Sequence, residues 1–291
     1  MKIQYLNGGL ANQVFQYVFV RYAEINHPGE EPWFFDDSFF FLNDVHNGFE
    51  LEKVFGLKLN LLSRSLDEDV WQELLANKRR GISIPQSFKD LGFSMMMITE
   101  FDNYKEHNPF DGEVYHIPGN VFLPEITNIN SDYIYYHGYW LHRGWFDACR
   151  EVIEKELTFP EITDQRNRLY MDQILQTESV AVHVRRGDYV KIGWTSQNEF
   201  YNKAIKDILV DYPNAELFVF SDDIEWCREN EEALGFSRAK NVVYVEGNTE
   251  GKNYIDLQLM SLCKLMVIGK SAFSYLAMLL NDRVERCIVD Q

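Results

Sequence analysis

Ser179-Val-Ala-Val-His-Val-Arg-Arg-Gly-Asp-Tyr189 is the stretch of sequence that decides the predicted fold. Side chains alternate across a strand, so residues 179–185 predict one face that packs and one that presents polar groups. The faces are Val180, Val182 and Val184 on one side, and Ala181, His183 and Arg185 on the other. Ligands of open α/β sheets bind beyond the carboxyl ends of strands, and guanidinium groups match phosphate oxygens. The stretch therefore predicts a diphosphate site, with a surface cluster of ion pairs as the alternative.

The residues downstream of this stretch alternate between short apolar runs and segments with helical spacing. The predicted strands are 179–185, 216–220, 241–246, 265–268 and 286–289, and the predicted helices lie near 197–210, 223–234, 252–263 and 272–281. Such alternation is typical of a parallel sheet covered by helices on both faces. Ser196-Gln-Asn-Glu199 also fits a capping box that opens a helix. The carboxyl-terminal half is thus predicted to be a nucleotide-binding α/β domain.

The amino-terminal half begins with a similar pattern. Residues 2–6 predict a buried strand, Gly8-Gly9 a tight turn, and the apolar spacing from Val14 to Tyr22 a helix. A glycine turn before a helix start can bind an anion, although tight turn geometry alone explains such a pair equally well. We expect two Rossmann-like domains, residues 1–160 and 161–291, that face each other across a cleft.

Composition and charge exclude some classes of function. The chain has 291 residues and a net charge of −17, which argues against nucleic acid as a partner because nucleic-acid binding relies on a basic surface. No stretch has the length and apolar character of a signal peptide or a membrane span, so we expect a cytoplasmic location, with peripheral membrane contact left open. The four cysteines show no spacing of a zinc or redox motif; they are Cys149, Cys227, Cys263 and Cys287.

Five segments, taken in order, resemble one enzyme family. They are Gly8-Gly-Leu-Ala-Asn-Gln-Val-Phe-Gln-Tyr17, Gly138-Tyr-Trp140 with Trp145-Phe146, His183-Val-Arg-Arg-Gly-Asp188, Phe220-Ser-Asp-Asp223 with Trp226, and Tyr254-Ile-Asp-Leu-Gln-Leu-Met260 through Phe273-Ser274. Together they resemble the motifs of the α-1,2-fucosyltransferases of glycosyltransferase family 11. The third segment is also similar to a motif of α-1,6-fucosyltransferases.

The resemblance implies a fold, a reaction and its substrates. The fold would be α/β and GT-B-like, and the donor would be GDP-β-L-fucose. Fucose would be transferred with inversion to the 2-hydroxyl of a terminal galactose on an oligosaccharide or polysaccharide repeat unit, without a cofactor or a metal. The alternatives are another linkage such as α-1,6, another donor, or an inactive protein that binds a nucleotide sugar or a glycan.

The resemblance also implies roles for residues of the second half. Arg185 would be the main contact of the leaving diphosphate. Asp256 would accept hydrogen bonds from guanine, with an acid on the surface or in the first turn of a helix as the alternative. His183 either contacts the nucleotide or is a buried core histidine. Asp222 and Asp223 open a helix, so one would be its N-cap and the other, which we take as Asp222, would face the ribose.

Two further segments complete the predicted site. Lys270-Ser-Ala-Phe-Ser-Tyr-Leu276 stands where the family has Asn-Ser-Ser-Phe-Ser-Trp-Trp, a departure that puts acceptor preference in doubt more than donor binding. Ser271 would contact phosphate at a helix start, and Lys270 would either add a positive charge to the same site or be a solvated surface lysine. In the amino-terminal half, Gly8 and Gly9 would let the ligand approach the backbone, and Asn12 would orient fucose or the acceptor, with capping of the turn as its alternative role.

The catalytic base and any metal site are left with alternatives. Asp188, the Asp36-Asp37 pair and an oxygen of the donor phosphate are candidates to take the acceptor proton. Arg186 is predicted to be structural and to hold Asp188 or a neighbouring carboxylate. Asp67-Glu-Asp69 has the spacing of metal-dependent glycosyltransferases, but it precedes a helical pattern, so we interpret it as a helix start.

Overall fold

The computed structural model describes residues 1–45, 47–101, 109–249 and 251–290. The chain divides into two compact units, Met1–Thr158 (unit 1) and Phe159–Gln291 (unit 2). The sequence placed the division after residue 160. Among the described residues, no helix is both long and apolar enough to cross a bilayer.

Unit 1 is built on a five-stranded parallel sheet. Its strands are β1 (Lys2–Tyr5), β2 (Phe34–Asp36), β3 (Met95–Thr99), β4 (Glu113–His116) and β5 (Tyr133–His137). They lie in the order β2-β1-β5-β3-β4. The helices are α1 (Leu10–Asn26), α2 (Ser38–Leu42), α3 (Leu51–Phe55), α4 (Leu62–Ser65), α5 (Glu68–Arg79), α6 (Ile84–Asp90) and α7 (Arg143–Glu156), with a 3₁₀ turn at Pro124–Asn128. The strand order reverses between β1 and β5, where the chain leaves β1 through Gly8 and Gly9.

Aromatic packing holds α1 against the sheet of unit 1. Phe19 is fully buried, stacks on Trp140 at 4.3 Å between ring centroids, and meets Trp33 and Trp145 edge-on. Large aromatic side chains bury much apolar area, and edge-on pairs add a favourable electrostatic contact. The predicted helix therefore forms, and the aromatic residues of this region fill a core.

Unit 2 has the strand order β10-β9-β6-β7-β8, with all neighbours parallel. Its strands are β6 (Ser179–Val184), β7 (Glu216–Ser221), β8 (Val242–Tyr244), β9 (Leu265–Ile268) and β10 (Arg286–Val289). Its helices are α8 (Gln165–Gln176), α9 (Gly187–Ile192), α10 (Asn198–Asp211), α11 (Ile224–Glu229), α12 (Glu231–Leu234), α13 (Asn253–Met260) and α14 (Ala272–Leu279), with a 3₁₀ turn at Phe236–Arg238. The predicted alternation of strands and helices is confirmed.

Three details of the predicted unit 2 are wrong. Both faces of β6 are buried, because helices cover both sides of a parallel sheet, so no face of this strand is open. The helix predicted over residues 223–234 is two helices, α11 and α12. The capping box fails because α10 begins at Asn198 with Gln197 as its N-cap, and Ser196 bonds elsewhere.

Candidate functional site

The strand order of unit 2 reverses between β6 and β9, and the polar residues singled out in the sequence surround this switch point. His183 of β6 pairs with Ile268 of β9, and the N–H of Gly269 donates to the His183 carbonyl at 3.3 Å. The residues that follow both strands therefore lie side by side. A switch point at the carboxyl edge is where open α/β sheets bind their ligands.

Arg185 leaves β6 at this edge and is held by two carboxylates. Its guanidinium pairs with Asp188 at 2.6 Å and with Asp222 at 2.8 Å, and it lies 5.3 Å from the ring centroid of Tyr189. Its side chain is 32% exposed. Arg186 was predicted to hold Asp188 or a neighbouring carboxylate, and the structure pairs Asp188, in the first turn of α9, with Arg185 instead. The cation is thus oriented and still open to solvent.

Arg186 has the structural role predicted for it, through a different carboxylate. Its Nε donates to Asp223 at 3.2 Å, and its guanidinium lies 3.5 Å from the ring centroid of Trp226. Asp223 is the N-cap of α11, because its carboxylate also accepts from the N–H of Trp226. Asp222 accepts from the N–H of Arg186, and it would lie 2.6 Å from a Cβ added at Gly187. Glycine at 187 therefore lets Asp222 approach the backbone.

The loop after β9 closes the other side of the switch point. Ser271 caps α14 and accepts a hydrogen bond from the N–H of Phe273 at 3.3 Å. The N–H of Lys270 donates to the Ser196 hydroxyl at 3.0 Å, which ties this loop to the segment that follows β6. A Cβ at Gly269 would lie 2.7 Å from that hydroxyl. Lys270, Ser271 and the start of the eight-residue helix α14 thus lie at the same edge of the sheet as Arg185. A helix start of this kind can bind an anion.

His183 is a buried and uncharged histidine. It is 5% exposed, and its ring centroid lies 6.0 Å from that of Phe273. Burial, helped by the charge of Arg185, lowers the pKa of His183 to about 3. Within the described part of the chain, its Nδ1 has no hydrogen-bond partner. The structure therefore favours the core interpretation, while the unsatisfied nitrogen leaves a hydrogen bond available to a ligand.

Asp256 lies in the first turn of α13 and belongs to a buried chain of amides. Asn248 donates to Asp256 Oδ1 at 2.7 Å, and it exchanges two hydrogen bonds with Asn167, of 2.7 and 2.9 Å. Burial raises the pKa of Asp256 to about 7, although Asn248 and Arg166 act in the opposite direction. No described residue donates to Oδ2 of this carboxylate. The sequence identified Asp256 but missed Asn167 and Asn248, because residues 89 and 8 positions away leave no local pattern.

In unit 1 the glycine turn is shaped around an amide. Gly8 has φ +78°, and a Cβ there would lie 2.4 Å from the Asn12 Nδ2. Asn12 has no hydrogen-bond partner among the described residues, so its predicted alternative as a cap of the turn receives no support. Gly9 is the extended N-cap residue of α1. The turn is held by Gln13, whose side chain donates to the Gly8 carbonyl at 3.0 Å.

The Asp36-Asp37 pair is engaged in structural hydrogen bonds. Asp36 is fully buried and accepts from the Tyr135 hydroxyl at 2.6 Å and from the N–H of Ser38 at 2.9 Å. Asp37 is also buried and accepts from both the N–H and the hydroxyl of Ser63. Burial raises the pKa of Asp37. A buried carboxylate with both oxygens bonded cannot reach a substrate hydroxyl, so the structure contradicts the prediction of this pair as the base.

Glu100 is a residue that the sequence did not single out. It follows β3, and its carboxylate accepts from the N–H groups of Tyr139 and Trp140, both at 2.8 Å. A Cβ at Gly138 would lie 2.8 Å from this carboxylate. The Gly138-Tyr-Trp140 segment is thus a backbone cradle for Glu100, and Trp140 adopts φ +57° within it. Burial raises the pKa of Glu100 despite these hydrogen bonds.

Asp67-Glu-Asp69 stands at the start of α5, as predicted. Asp67 is the N-cap residue, and Glu68 and Asp69 lie in the first turn, where acids interact favourably with the helix dipole. In the described ranges, no three His, Cys, Asp or Glu side chains are grouped in a way that could hold a metal ion. The independence of the reaction from metals stays a prediction.

Comparisons with known proteins place the chain among the glycosyltransferases. An α-1,2-colitosyltransferase of Escherichia coli is 36% identical over 144 residues, which is 47% of this chain and 48% of that protein. The O-antigen biosynthesis glycosyltransferase WbnK of Escherichia coli is 25% identical and aligns over 98% of this chain and 91% of its own length. The galactoside 2-α-L-fucosyltransferase Sec1 of Mus musculus is 26% identical over 60% of this chain and 46% of its own length. The chain thus spans about half the length of the first and third of these relatives.

Solved structures show the same fold. The fucosyltransferase NodZ from Bradyrhizobium superimposes with a TM-score of 0.53, at 13% identity, over the full length of this chain and 94% of that one. POFUT1 in complex with GDP-fucose gives a TM-score of 0.50, at 13% identity, over 99% of this chain and 97% of its own. Both are GT-B fucosyltransferases, so the predicted fold class of two Rossmann-like α/β domains is confirmed.

The family follows from a match over most of the chain. The model of glycosyl transferase family 11 matches residues 90–289, which include four of the five segments that carried the resemblance. The amino-terminal glycine segment lies outside that match. The parallel sheets, the switch point of unit 2 and its paired arginines agree with the match, and the chain belongs to glycosyltransferase family 11, a family of fucosyltransferases.

Proposed function

We propose that this protein transfers L-fucose from GDP-β-L-fucose to the 2-hydroxyl of a terminal galactose, with inversion to an α linkage. The observation that carries the proposal is the position of Arg185 beside the Lys270-Ser271 loop at the switch point of unit 2. Two of the relatives bear names that specify transfer to position 2, one an α-1,2-colitosyltransferase and one a galactoside 2-α-L-fucosyltransferase. These names support the linkage, and the second supports the acceptor.

Arg185 binds the diphosphate in this proposal. The departing GDP gains negative charge as the bond to fucose breaks, and a fixed cation stabilises that charge more in the transition state than in the ground state. Lys270 adds a second cation, and the Ser271 hydroxyl and the free N–H groups at the start of α14 add donors. The ion pairs with Asp188 and Asp222 hold the guanidinium at the edge until the diphosphate binds.

The nucleoside is recognised by the other polar residues of unit 2. Asp256 accepts from the two adjacent N–H donors of guanine, since its Oδ2 is available and Asn248 fixes its Oδ1. Asp222 has one oxygen on Arg185 and one on the N–H of Arg186, so we revise its role from a ribose contact to a support of the two arginines.

The acceptor hydroxyl loses its proton to Asp188 or to an oxygen of the donor phosphate. Asp188 is 59% exposed and uses Oδ1 for Arg185, so its other oxygen is open to a substrate. Asn12 and the turn of Gly8 and Gly9 orient the fucose or the acceptor from unit 1. In this proposal the positive charges of unit 2 replace a metal ion at the diphosphate.

A transfer assay tests the proposal. The purified protein is incubated with GDP-fucose and a galactose-terminated oligosaccharide, and the product linkage is determined by NMR. We expect an α-1,2-fucosylated product and stoichiometric release of GDP. An α-1,6 product would refute the linkage, and GDP binding without transfer to any galactoside would refute the enzymatic function.

Colitose is a second candidate for the transferred sugar, since one relative is named as a colitosyltransferase. Colitose lacks the 3-hydroxyl of fucose, so the two GDP-activated sugars differ by one hydrogen-bonding group. A competition between equal concentrations of the two donors decides between them. A site that hydrogen-bonds the 3-hydroxyl favours fucose strongly, because the deoxy analogue leaves the site's polar groups unpaired.

A further inference from the structure

An exposed tryptophan lies next to the phosphate-binding arginine of unit 2. Trp194 is 63% exposed, and it follows α9, the short helix that starts two residues after Arg185. Two apolar neighbours, Val190 and Ile192, are 50% and 58% exposed. Large apolar side chains exposed in a cluster commonly mark a binding surface.

The backbone around Trp194 is fixed by a Schellman motif. Gly193 adopts φ +71°, and its N–H donates to the Val190 carbonyl at 3.4 Å. The N–H of Trp194 donates to the Tyr189 carbonyl at 3.0 Å, and the rings of these two residues meet edge-on at 6.2 Å. A contact between these two positions is usual in this motif, and it leaves Trp194 63% exposed. The ring is therefore held in place with much of its surface open.

Contacts connect this ring to both sides of the switch point. The Tyr189 ring that meets Trp194 also lies 5.3 Å from the guanidinium of Arg185. Two residues after Trp194, the Ser196 hydroxyl accepts from the N–H of Lys270. Residues 187–196 thus start directly after the two arginines and end in contact with the loop that precedes α14. Trp194 is the most exposed of the large apolar side chains of this segment.

The net charge of the chain favours a sugar over a lipid surface as the ligand that covers the Trp194 ring. With a net charge of −17, the protein is repelled by an anionic membrane, and Lys191 alone on α9 does not reverse that field. A neutral glycan carries no such penalty. The C–H face of a pyranose packs well on an open aromatic ring, which contributes contact area at a low cost in conformational entropy.

We propose that Trp194 is the platform on which a neutral hexose of the glycan acceptor stacks. This inference rests on the proposed function and adds an acceptor subsite on the donor-binding unit. Bound there, the acceptor sugar lies at the same edge of the sheet as Arg185, which in the proposed reaction binds the diphosphate from which fucose departs. The identity of residue 194 would then determine which acceptors the enzyme uses efficiently.

Kinetics of three variants test the platform. In Trp194→Ala we expect the KM for the galactoside acceptor to rise about tenfold or more, while the KM for GDP-fucose stays within about twofold. Trp194→Phe keeps an aromatic face and should restore most of the acceptor affinity. Val210→Ala is the control, because Val210 is also a large exposed apolar residue, 73% exposed, and lies at the carboxyl-terminal end of α10.

Hydrolysis of GDP-fucose in the absence of acceptor distinguishes a failure of the platform proposal from a failure of the proposed transferase function. Unchanged hydrolysis and thermal stability in Trp194→Ala, with a raised acceptor KM, would support the platform. An unchanged acceptor KM would refute the platform and leave the transferase function intact, whereas absence of transfer in the unmodified protein would refute the function itself. Loss of hydrolysis together with transfer would refute the platform as well. Co-sedimentation of the unmodified protein, but not Trp194→Ala, with vesicles containing anionic lipid would assign the surface to a membrane instead.

Discussion

The carboxyl edges of the two sheets carry similar numbers of acids but use them differently. In unit 2, Asp188 and Asp222 pair with Arg185 at a partly exposed edge. In unit 1, Asp36 and Glu100 are bonded by a tyrosine hydroxyl and by backbone N–H groups, away from any arginine. A partly exposed, ion-paired arginine can exchange a carboxylate for a phosphate, whereas acids bonded by hydroxyl and backbone donors shape the backbone. In the proposed reaction, this difference favours unit 2 as the unit that binds the charged donor.

The histidines at the two edges do not share this contrast. His137 ends β5 and His183 lies near the end of β6, and both are buried. Burial is the main cause that lowers the pKa of His137 to about 4 and that of His183 to about 3. Lys78 adds to the effect on His137 as Arg185 does on His183. Neither is charged near neutral pH, so the positive charge of the donor edge comes from arginine and lysine.

Among the predicted changes, removal of Arg185 should lower the activity most. Arg185→Ala removes the fixed cation opposite the leaving diphosphate, and we expect kcat to fall by about 100-fold or more. Arg286→Ala is the control, because Arg286 is also ion-paired at the surface of unit 2, with Asp211, but lies on the edge strand β10. Steady-state kinetics with GDP-fucose measure both. Equal activity in the two variants would contradict the assignment of the donor edge.

The pH dependence of donor binding should follow the protonation state of Asp256. Its pKa is raised to about 7, so it is protonated below that pH and cannot accept from guanine. We expect the KM for GDP-fucose to fall as the pH rises from about 6 to about 8, in step with loss of that proton. Asp256→Asn should raise this KM by about tenfold or more and flatten the pH profile. The profile is measured beside Asp211→Asn, an exposed acid in the same unit, and a slope that persists in Asp256→Asn would refute the role.

Loss of a buried acid of unit 1 should affect stability rather than catalysis. Asp37→Ala leaves the N–H and hydroxyl of Ser63 without their acceptor, and we expect a loss of about 1–3 kcal/mol in the free energy of unfolding. Because the folded-state pKa of Asp37 is raised, this group contributes most stability at low pH and less as the pH rises through that value. Urea unfolding at several pH values measures both effects. A fall of kcat by about 100-fold in fully folded Asp37→Ala would restore Asp37 as the base.

Chelation should have the smallest effect. Because arginine, lysine and a helix start meet the charge of the diphosphate in the proposed reaction, EDTA should change kcat by less than about twofold. Asp69→Asn should be equally active, because Asp69 belongs to the first turn of α5. Rates with and without added manganese measure this effect. Strong inhibition by EDTA that manganese reverses would contradict the prediction.

Much of unit 2 could be predicted from sequence because its strands are apolar runs bounded by polar segments. The strand over 265–268 is confirmed to the residue, and the helix that follows it begins where predicted. Of the five strands of unit 1, only β1 was predicted, since β2 has only three residues and β4 is mostly exposed. A short strand or one without a buried face has no clear periodicity.

Within the site, the sequence identified residue types better than their partners. The motif identified Arg185, Arg186 and Asp188. The pairing of Asp188 with Arg185 depends on the first turn of α9, which the periodicity of the sequence does not describe. Ser196 was assigned to a capping box because its spacing to Glu199 fits, yet its hydroxyl accepts from Lys270, 74 residues away. Contacts of this kind arise from the sheet order, so no local pattern announces them.

Hydrogen exchange with GDP tests the central comparison most directly. The exchange of backbone amides is followed by mass spectrometry in the unmodified protein, with and without saturating GDP. We predict protection of peptides covering residues 183–189, 253–257 and 269–274 of unit 2, and unchanged exchange of those covering residues 34–38 and 95–100 of unit 1. Protection confined to the unit 1 peptides, or exchange of the unit 2 peptides that GDP does not change, would contradict the assignment of the donor to unit 2.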